Sequence, residues 1–407
     1  MIEFLKRPFF RNVLIASFFV CSLSLKGQAE EASPPIPQPP LSPPPPVSQQ
    51  PPQRPGFFQT LNPDMRVEVN FIGNKTFNRK DNEDGNGNDI GGGDDEGGEG
   101  DLDLLRDRFT LKEVELGFQA AVDPYARADV FFSGEGLLGE ESEVELEEGF
   151  LTLLRLPLNA QIKIGKFRSS FGEINDGDPD DEFPYADRPL VLVNFFGEEG
   201  HLETGISSNF VIPNPWNIPI LYWLGVFNGD NERAFHGGEA RKPVYFTRLE
   251  LFSELGPATG FEVGFSFITG HNDPDGEFRT TMENAHFELE WKHPLYGQYK
   301  SFAVVGEIYM SQREGIGGTE HSFGLYTYAQ YQVSRRWFVT GRYDYSQLPE
   351  DSDSREWLVG SAVTFQPSRF SRFRAQYNHV DSNFDEPRDE LFFQVLFILG
   401  FERPEPF

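Results

Sequence analysis

The sequence predicts an all-β protein: a transmembrane antiparallel β-barrel of about sixteen strands with a long third external loop. Three observations predict it. Segments that alternate apolar and polar residues recur along the whole chain, no apolar run approaches the ~18 residues of a membrane helix, and the connections between segments alternate short with long. Composition agrees, because 41 Phe beside a net charge of -29 and only 38% hydrophobic residues means aromatic surface without a thick core.

Taken in order, the chain opens with bases at Lys6, Arg7 and Arg11, an apolar stretch from Val13 to Leu25 and small residues at Gly27 and Ala29. That is the anatomy of a secretory signal peptide over 1–29, cleaved after Ala29. Cys21, the single cysteine, lies inside it, so the mature chain is expected to have no thiol, no disulfide and no cysteine-bound metal. Residues 30–64 include SPPIPQPPLSPPPPVSQQPPQRPG, too rich in Pro to pack, and read as an extended periplasmic linker. The barrel itself is expected over 65–407.

Its strands show in the parity. Met65, Val67, Val69 and Phe71 alternate with Arg66, Glu68 and Asn70; Val114, Leu116, Phe118 and Ala120 alternate with Glu113, Glu115, Gly117 and Gln119. Further strands are expected near 125–135, 144–155, 160–167, 201–212, 220–228, 243–253, 260–270, 280–291, 299–311, 320–333, 337–347, 355–366, 372–380 and 390–400. Connections after even strands are short, as DP at 123 and SRR at 334, whereas those after odd strands are mostly long, as 74–107 and 168–200. Tight periplasmic turns and long external loops produce that alternation. Trp216, Trp223, Trp291, Trp337 and Trp357 gather near strand ends, where an amphipathic ring prefers the headgroup level.

Sixteen strands enclose an aqueous channel. Its lining, read from the wet parity, includes Glu113, Glu115, Arg127, Asp129, Glu145, Glu147, Lys163, Glu203, Arg248, Glu250, Glu262, Glu288, Glu290, Glu307, Arg342, Asp344, Arg374 and Gln376. Acidic members outnumber basic ones, so the channel is expected to attract cations. On the same parity Val263 faces lipid, while Gly264 faces the lumen and is expected to tolerate a side chain.

The stretch GKFRSSFGEIN at 165–175 ends the fifth strand and starts the third loop. That loop is expected to fold inward and narrow the pore. Lys166 and Arg168 have outward parity unless the loop reorients them; with Lys163 and Arg188 they are expected to face Asp178, Asp180, Asp181 and Glu182 across the constriction. The block 81–103 carries many carboxylates, but Gly93 stands where a calcium loop needs its bidentate Glu, so it reads as a solvated acidic loop. The seven histidines are scattered, and no nucleophile, base and orienter share a spacing. No enzyme activity, cofactor, metal or nucleic-acid partner is expected.

The segments VELEEGFLTLLRLPLNAQIKIGKFRSSFGEIN and DRPLVLVNFFGEEGHLETGISSNF resemble bacterial outer-membrane porins, and within them the family of phosphate-selective porins O and P. The resemblance implies passive diffusion of small ions or hydrophilic solutes through the outer membrane of a Gram-negative bacterium. It also implies contact with outer-membrane lipid and lipopolysaccharide, a homotrimer and, from the terminal aromatic of LGFERPEPF, recognition by the barrel assembly machinery. For anion passage it points to Lys163, Lys166, Arg168 and Arg188, although this acidic chain has no evident ladder of inward arginines. The reading from another class is a non-conducting barrel that serves as an adhesin or envelope anchor.

Overall fold

Alternation at a period of two becomes a closed wall. The computed structural model describes residues 63–77, 109–135, 144–175, 177, 183–216 and 218–401. In chain order the strands are β1 (Asp64–Phe77), β2 (Phe109–Asp123), β3 (Ala126–Glu135), β4 (Val144–Leu153), β5 (Gln161–Arg168), β6 (Leu202–Val211), β7 (Ile220–Phe227) and β8 (Val244–Gly256). They continue as β9 (Thr259–His271), β10 (Arg279–Lys292), β11 (Ser301–Gly315), β12 (Gly318–Ser334), β13 (Trp337–Gln347), β14 (Arg355–Ser368), β15 (Ser371–Ser382) and β16 (Arg388–Gly400). Each pairs antiparallel with its neighbours, and β1 closes on β16 from Arg66 opposite Gly400 to Phe77 opposite Asp389. A helix, α1 (Leu190–Phe196), interrupts the third loop. The signal peptide, nearly all of the linker, the acidic block 81–103, Asp178, Asp180, Asp181, Glu182 and the last six residues lie outside the described residues. Asp64, expected in the linker, already belongs to β1.

Burial runs opposite to that of a soluble protein. Phe265, Phe267, Val339, Val359, Phe393 and Leu399 are exposed on the outer face, while Arg66, Asp129, Arg248, Glu307, Arg342, Asp344 and Arg374 are buried inside. Such a surface suits hydrocarbon, and closure pairs the strand edges that lipid could not satisfy. Among the described residues no helix is long and apolar enough to cross a membrane.

Turns at one end are tight: β2 and β3 are joined across Pro124 and Tyr125, β8 and β9 across Pro257 and Ala258, and β12 and β13 across Arg335 and Arg336. The other end carries the long loops. One connection at that end is short, because β11 and β12 extend until only Ile316 and Gly317 separate them. Their added residues, including Gln312, Glu314 and Glu320, keep the ladder beyond the apolar band, and Ile316 stands 98% exposed at the tip.

One irregularity corrects the parity. Between β3 and β4 the register shifts, so that Phe131 faces Glu148 and Phe132 faces Leu146, leaving Glu147 as an extra residue. The bulge reverses the phase of β4: Leu146 is outward before it, whereas Phe150 and Thr152 are buried inward after it. Without it Leu151 and Leu153 would enter the lumen.

The candidate pore constriction

Residues 169–175 and 183–201 pass into the barrel and dock on inward side chains of distant strands. The first anchor is on β8 to β12. Arg248 Nη2 lies 2.5 Å from Glu173 and 2.6 Å from Glu250, and Nη1 donates to the Gly172 carbonyl at 2.6 Å. Beside it Glu307 accepts the backbone amides of Glu173 and Ile174, both at 3.2 Å, Asn284 Nδ2 and Tyr309 OH, both at 2.7 Å, and Tyr326 OH. A buried carboxylate with this many donors is fully solvated by protein. Burial alone would raise the Glu173 carboxyl, but Arg248 and His286 outweigh it and hold it below the usual range.

The second anchor is on β13 to β15. Arg342 grips Asp344 through Nε at 2.8 Å and Nη2 at 2.5 Å, and turns Nη1 to Asp187 at 3.1 Å. Asp187 also accepts Gln376 Nε2 and, at 3.2 Å, Asn378 Nδ2. Arg374 bonds Gln394 at 2.6 Å and the Phe183 carbonyl at 3.0 Å. Aromatic side chains of the loop pack beside the anchors. Phe171 and Phe195 gather on Tyr309, Phe196 packs on Phe171, and Phe183 meets Tyr326 at 6.2 Å and Tyr328 at 5.5 Å. Tyr326 and Tyr328, on the wet parity of β12, therefore form the floor beneath the loop.

A clamp joins the two ends of the loop. Ser169 Oγ is 2.7 Å from His201 Nδ1, and His201 Nε2 is 3.2 Å from Glu203, which accepts the Gly229 amide at 2.7 Å. Asn175 adds a brace, receiving the His201 amide at 2.8 Å and donating to the Ser169 carbonyl at 2.8 Å. The imidazole is enclosed by Phe196, Phe227 and Phe235, so this row works as a fastening. Scattered histidines in the sequence gave no sign of it.

The basic residues expected at the constriction separate into different places. Lys163 faces inward, 4.0 Å over the Phe150 ring and 4.8 Å over Phe167. Lys166 is a correction: its Nζ makes an exposed hydrogen bond, donating to the Leu146 carbonyl at 2.8 Å. Arg168 is turned inside by the loop, buried, bonded to Glu147 and 2.6 Å from Glu199. Burial pushes the Glu199 carboxyl up, and Arg168, Arg188 and Lys112 outweigh it and leave it lowered. The Arg188 carbonyl accepts Arg342 at 3.0 Å. Arg127 pairs with Asp129 at 2.9 Å, and Glu145 is exposed at the long-loop end of β4. Arg168, Arg248 and Arg342 thus hold carboxylates of the loop itself, whereas the sequence reading set the two signs apart across an open eyelet.

Among the described residues two acidic groups could hold a cation: Glu173, Glu250, Glu262 and His286, and Glu113, Glu115 and Glu147. Protein cations already stand in both. Arg248 occupies the first, and Arg66, 3.3 Å from Glu115, and Arg168 serve the second. Below the first anchor, Glu262 and Glu288 face each other directly on β9 and β10, with Glu290 one inward position farther. Gly264 is a further correction. The His286 ring lies over it, and a Cβ there would collide with the imidazole.

No family model matches the sequence. An uncharacterized protein of Aquifex aeolicus (strain VF5) is 28% identical over 348 residues, 74% of this chain and 70% of its own. Among solved structures, the anion-selective porin from Comamonas acidovorans superposes with a TM-score of 0.51 at 10% identity, covering 83% of this chain and 98% of that one. OprB of Pseudomonas putida gives 0.51 at 9%, covering 85% and 97%. The outer membrane channel DcaP of Acinetobacter baumannii gives 0.50 at 10%, covering 83% and 97%. With its lipid-facing wall and closed ladder of sixteen strands, this chain has the fold of the porins and channels of the Gram-negative outer membrane.

Proposed function

We propose that the protein is an outer-membrane porin passing small ions or hydrophilic solutes by diffusion, with the long-loop end external and the short turns periplasmic. The observation that carries this reading is the docking of residues 169–175 and 183–201 on inward side chains of β8 to β15. A loop held there narrows the lumen without closing a strand. Lys163, Arg168, Arg188, Arg248, Arg342 and Arg374 set its walls, and the acidic residues 178–182 are proposed at its edge.

Preference for cations follows from the balance of partners. Arg168, Arg248 and Arg342 are each committed to carboxylates, and on the inward faces of β9 and β10 the acidic Glu262, Glu288 and Glu290 outnumber the bases beside them, Arg248 at 3.9 Å from Glu262 and Lys292 at 2.5 Å from Glu290. Phosphate selectivity, implied by the family resemblance, is not supported by such committed arginines. Lipid, lipopolysaccharide, the assembly machinery and a homotrimer remain partners proposed from the fold alone.

Planar-bilayer recordings test the reading. We expect discrete conductance steps, and reversal potentials across a salt gradient that favour cations more strongly at 0.01 M salt, where the Debye length is ~30 Å, than at 1 M, where it is ~3 Å. Glu262→Gln with Glu288→Gln is expected to weaken that preference. An inserted, folded barrel that passes no current would overturn the channel and favour the anchor or adhesin.

A further inference from the structure

The connection between β7 and β8 folds back on itself. It enters through Gly229 at φ 90° and leaves through Arg241 at φ 55°, both left-handed, and the Gly238 amide donates to the Gly229 carbonyl at 3.1 Å. Residues 229–238 thus form a compact loop whose ends meet at one base. That base is continuous with the clamp, because Glu203, which meets His201, also accepts the Gly229 amide. The side chains divide: Asn231, Ala234 and Phe235 are buried, whereas Asp230 and Glu232 are exposed.

The buried side meets the third loop where that loop returns to the wall. Asn231 Nδ2 donates to the Gly200 carbonyl at 2.9 Å, and its Oδ1 is held in place by the Ala234 amide at 2.9 Å. The Phe235 ring stands edge-on to His201, 5.7 Å away. It fits because Gly270 on β9 has no side chain; a Cβ there would lie 2.8 Å from the ring. Glu232 reaches the turn after α1, where it accepts the amides of Glu198 and Glu199 and takes the space that a side chain at Gly197 would need. The opposite side is tied to the wall. The His236 amide donates to the His271 carbonyl at the end of β9 at 2.9 Å, and the Arg233 carbonyl accepts Arg313 of β11 at 3.4 Å.

We propose that residues 229–238 are a latch on the third loop. Seated, they hold residues 197–201 inside the barrel; lifted about Gly229 and Arg241, they let that limb move outward and widen the passage from the long-loop end. The proposal rests on the channel reading above. A connection that merely covered the mouth would leave the third loop in place when its own contacts were removed.

Single-channel recordings of the full chain, Asn231→Ala and Phe235→Ala test the latch, with heat-modifiable gel mobility reporting a folded barrel. Both variants are expected to fold and to show a higher conductance or added larger open levels. A cross-link then separates a latch from a second constriction. Cys21 is the only cysteine of the sequence, and Val191 Cβ on α1 stands 2.9 Å from where a Cβ at Gly324 on β12 would lie, within ~1 Å of disulfide spacing. In a Val191→Cys, Gly324→Cys background, oxidation fixes the third loop to the wall and is expected to abolish the increase caused by Phe235→Ala, which reduction should restore. An increase that survives oxidation means that residues 229–238 narrow the mouth by themselves, and overturns the latch. If Phe235→Ala does not fold, Asn231→Ala reads the same latch through its polar contact. A conducting parent whose current is unchanged in the folded variants overturns the latch alone. Folded, inserted barrels that are all silent overturn the channel reading and the latch with it.

Discussion

Glu307 on β11 accepts the backbone amide of Glu173 at 3.2 Å, across 134 residues of sequence. Its carboxylate is met by donors alone, so Glu307→Gln turns an amide NH2 toward them. We expect weaker loop docking by about 1 to 3 kcal/mol for each buried donor left unpaired. Noisier and larger single-channel currents, with unchanged thermal unfolding of the wall, would report it. Currents identical to the parent would show that the loop is held elsewhere.

Arg342→Lys is not a conservative change. Lysine keeps the charge but loses the two-nitrogen grip on Asp344 and the stacking over Tyr185, 4.9 Å away. We expect a loss of about 1.5 to 3 kcal/mol in docking, the range for hydrogen bonds to charged groups. Protease cleavage within 183–190 of the folded barrel measures it, and the parent and variant should differ clearly in rate.

The two faces of β9 respond differently from a simple lining. Val263→Arg, which faces lipid, is expected to cost about 2 to 4 kcal/mol if it lies at the bilayer midplane. Gly264→Ala is expected to displace His286 and disturb the Arg248 anchor. Combined with His286→Ala, the same alanine should be much better tolerated. Urea titrations in bilayers provide both comparisons, and additive single effects would mean that the ring does not occupy the space over Gly264.

Acid should loosen the loop. Glu173 and Glu199 are both lowered when docked, so their contribution is fully present above the free glutamate value of about 4.3 and is lost as pH falls below it, through the lowered values. Conductance recorded from pH 7 to pH 3 should stay constant at first and change only in the most acidic part. Glu173→Gln should reduce that change. A transition centred near neutrality would overturn this assignment to Glu173 and Glu199.

The wall was legible because a strand has a period of two and each strand here separates lipid from lumen. Met65 to Phe71 and Leu391 to Leu399 declare their faces without help. The long third connection also declared itself by length. What parity could not carry was a change of phase: Glu147 adds one residue, and Phe150 and Thr152 reverse sides. Nor could it distinguish a wet lining from a floor, since Tyr326 and Tyr328 alternate as lumen residues do yet pack against Phe183. The partners of Arg248 and Arg342 were illegible for a similar reason, because ion pairs between residues 75 and 155 apart leave no local pattern.

Those separations impose an order of events on the newly made protein. Asp187 is in place early in the chain, but its partners Gln376 and Asn378 follow 189 and 191 residues later, on β15, the last strand but one. The second anchor of the loop therefore has no complete landing place until the cylinder is almost finished, and full docking must wait while the last strands are laid down. A freshly closed cylinder would first be wide and leaky, then narrow as the loop settles. Time-resolved insertion should show a fall in current per molecule after the strands have formed.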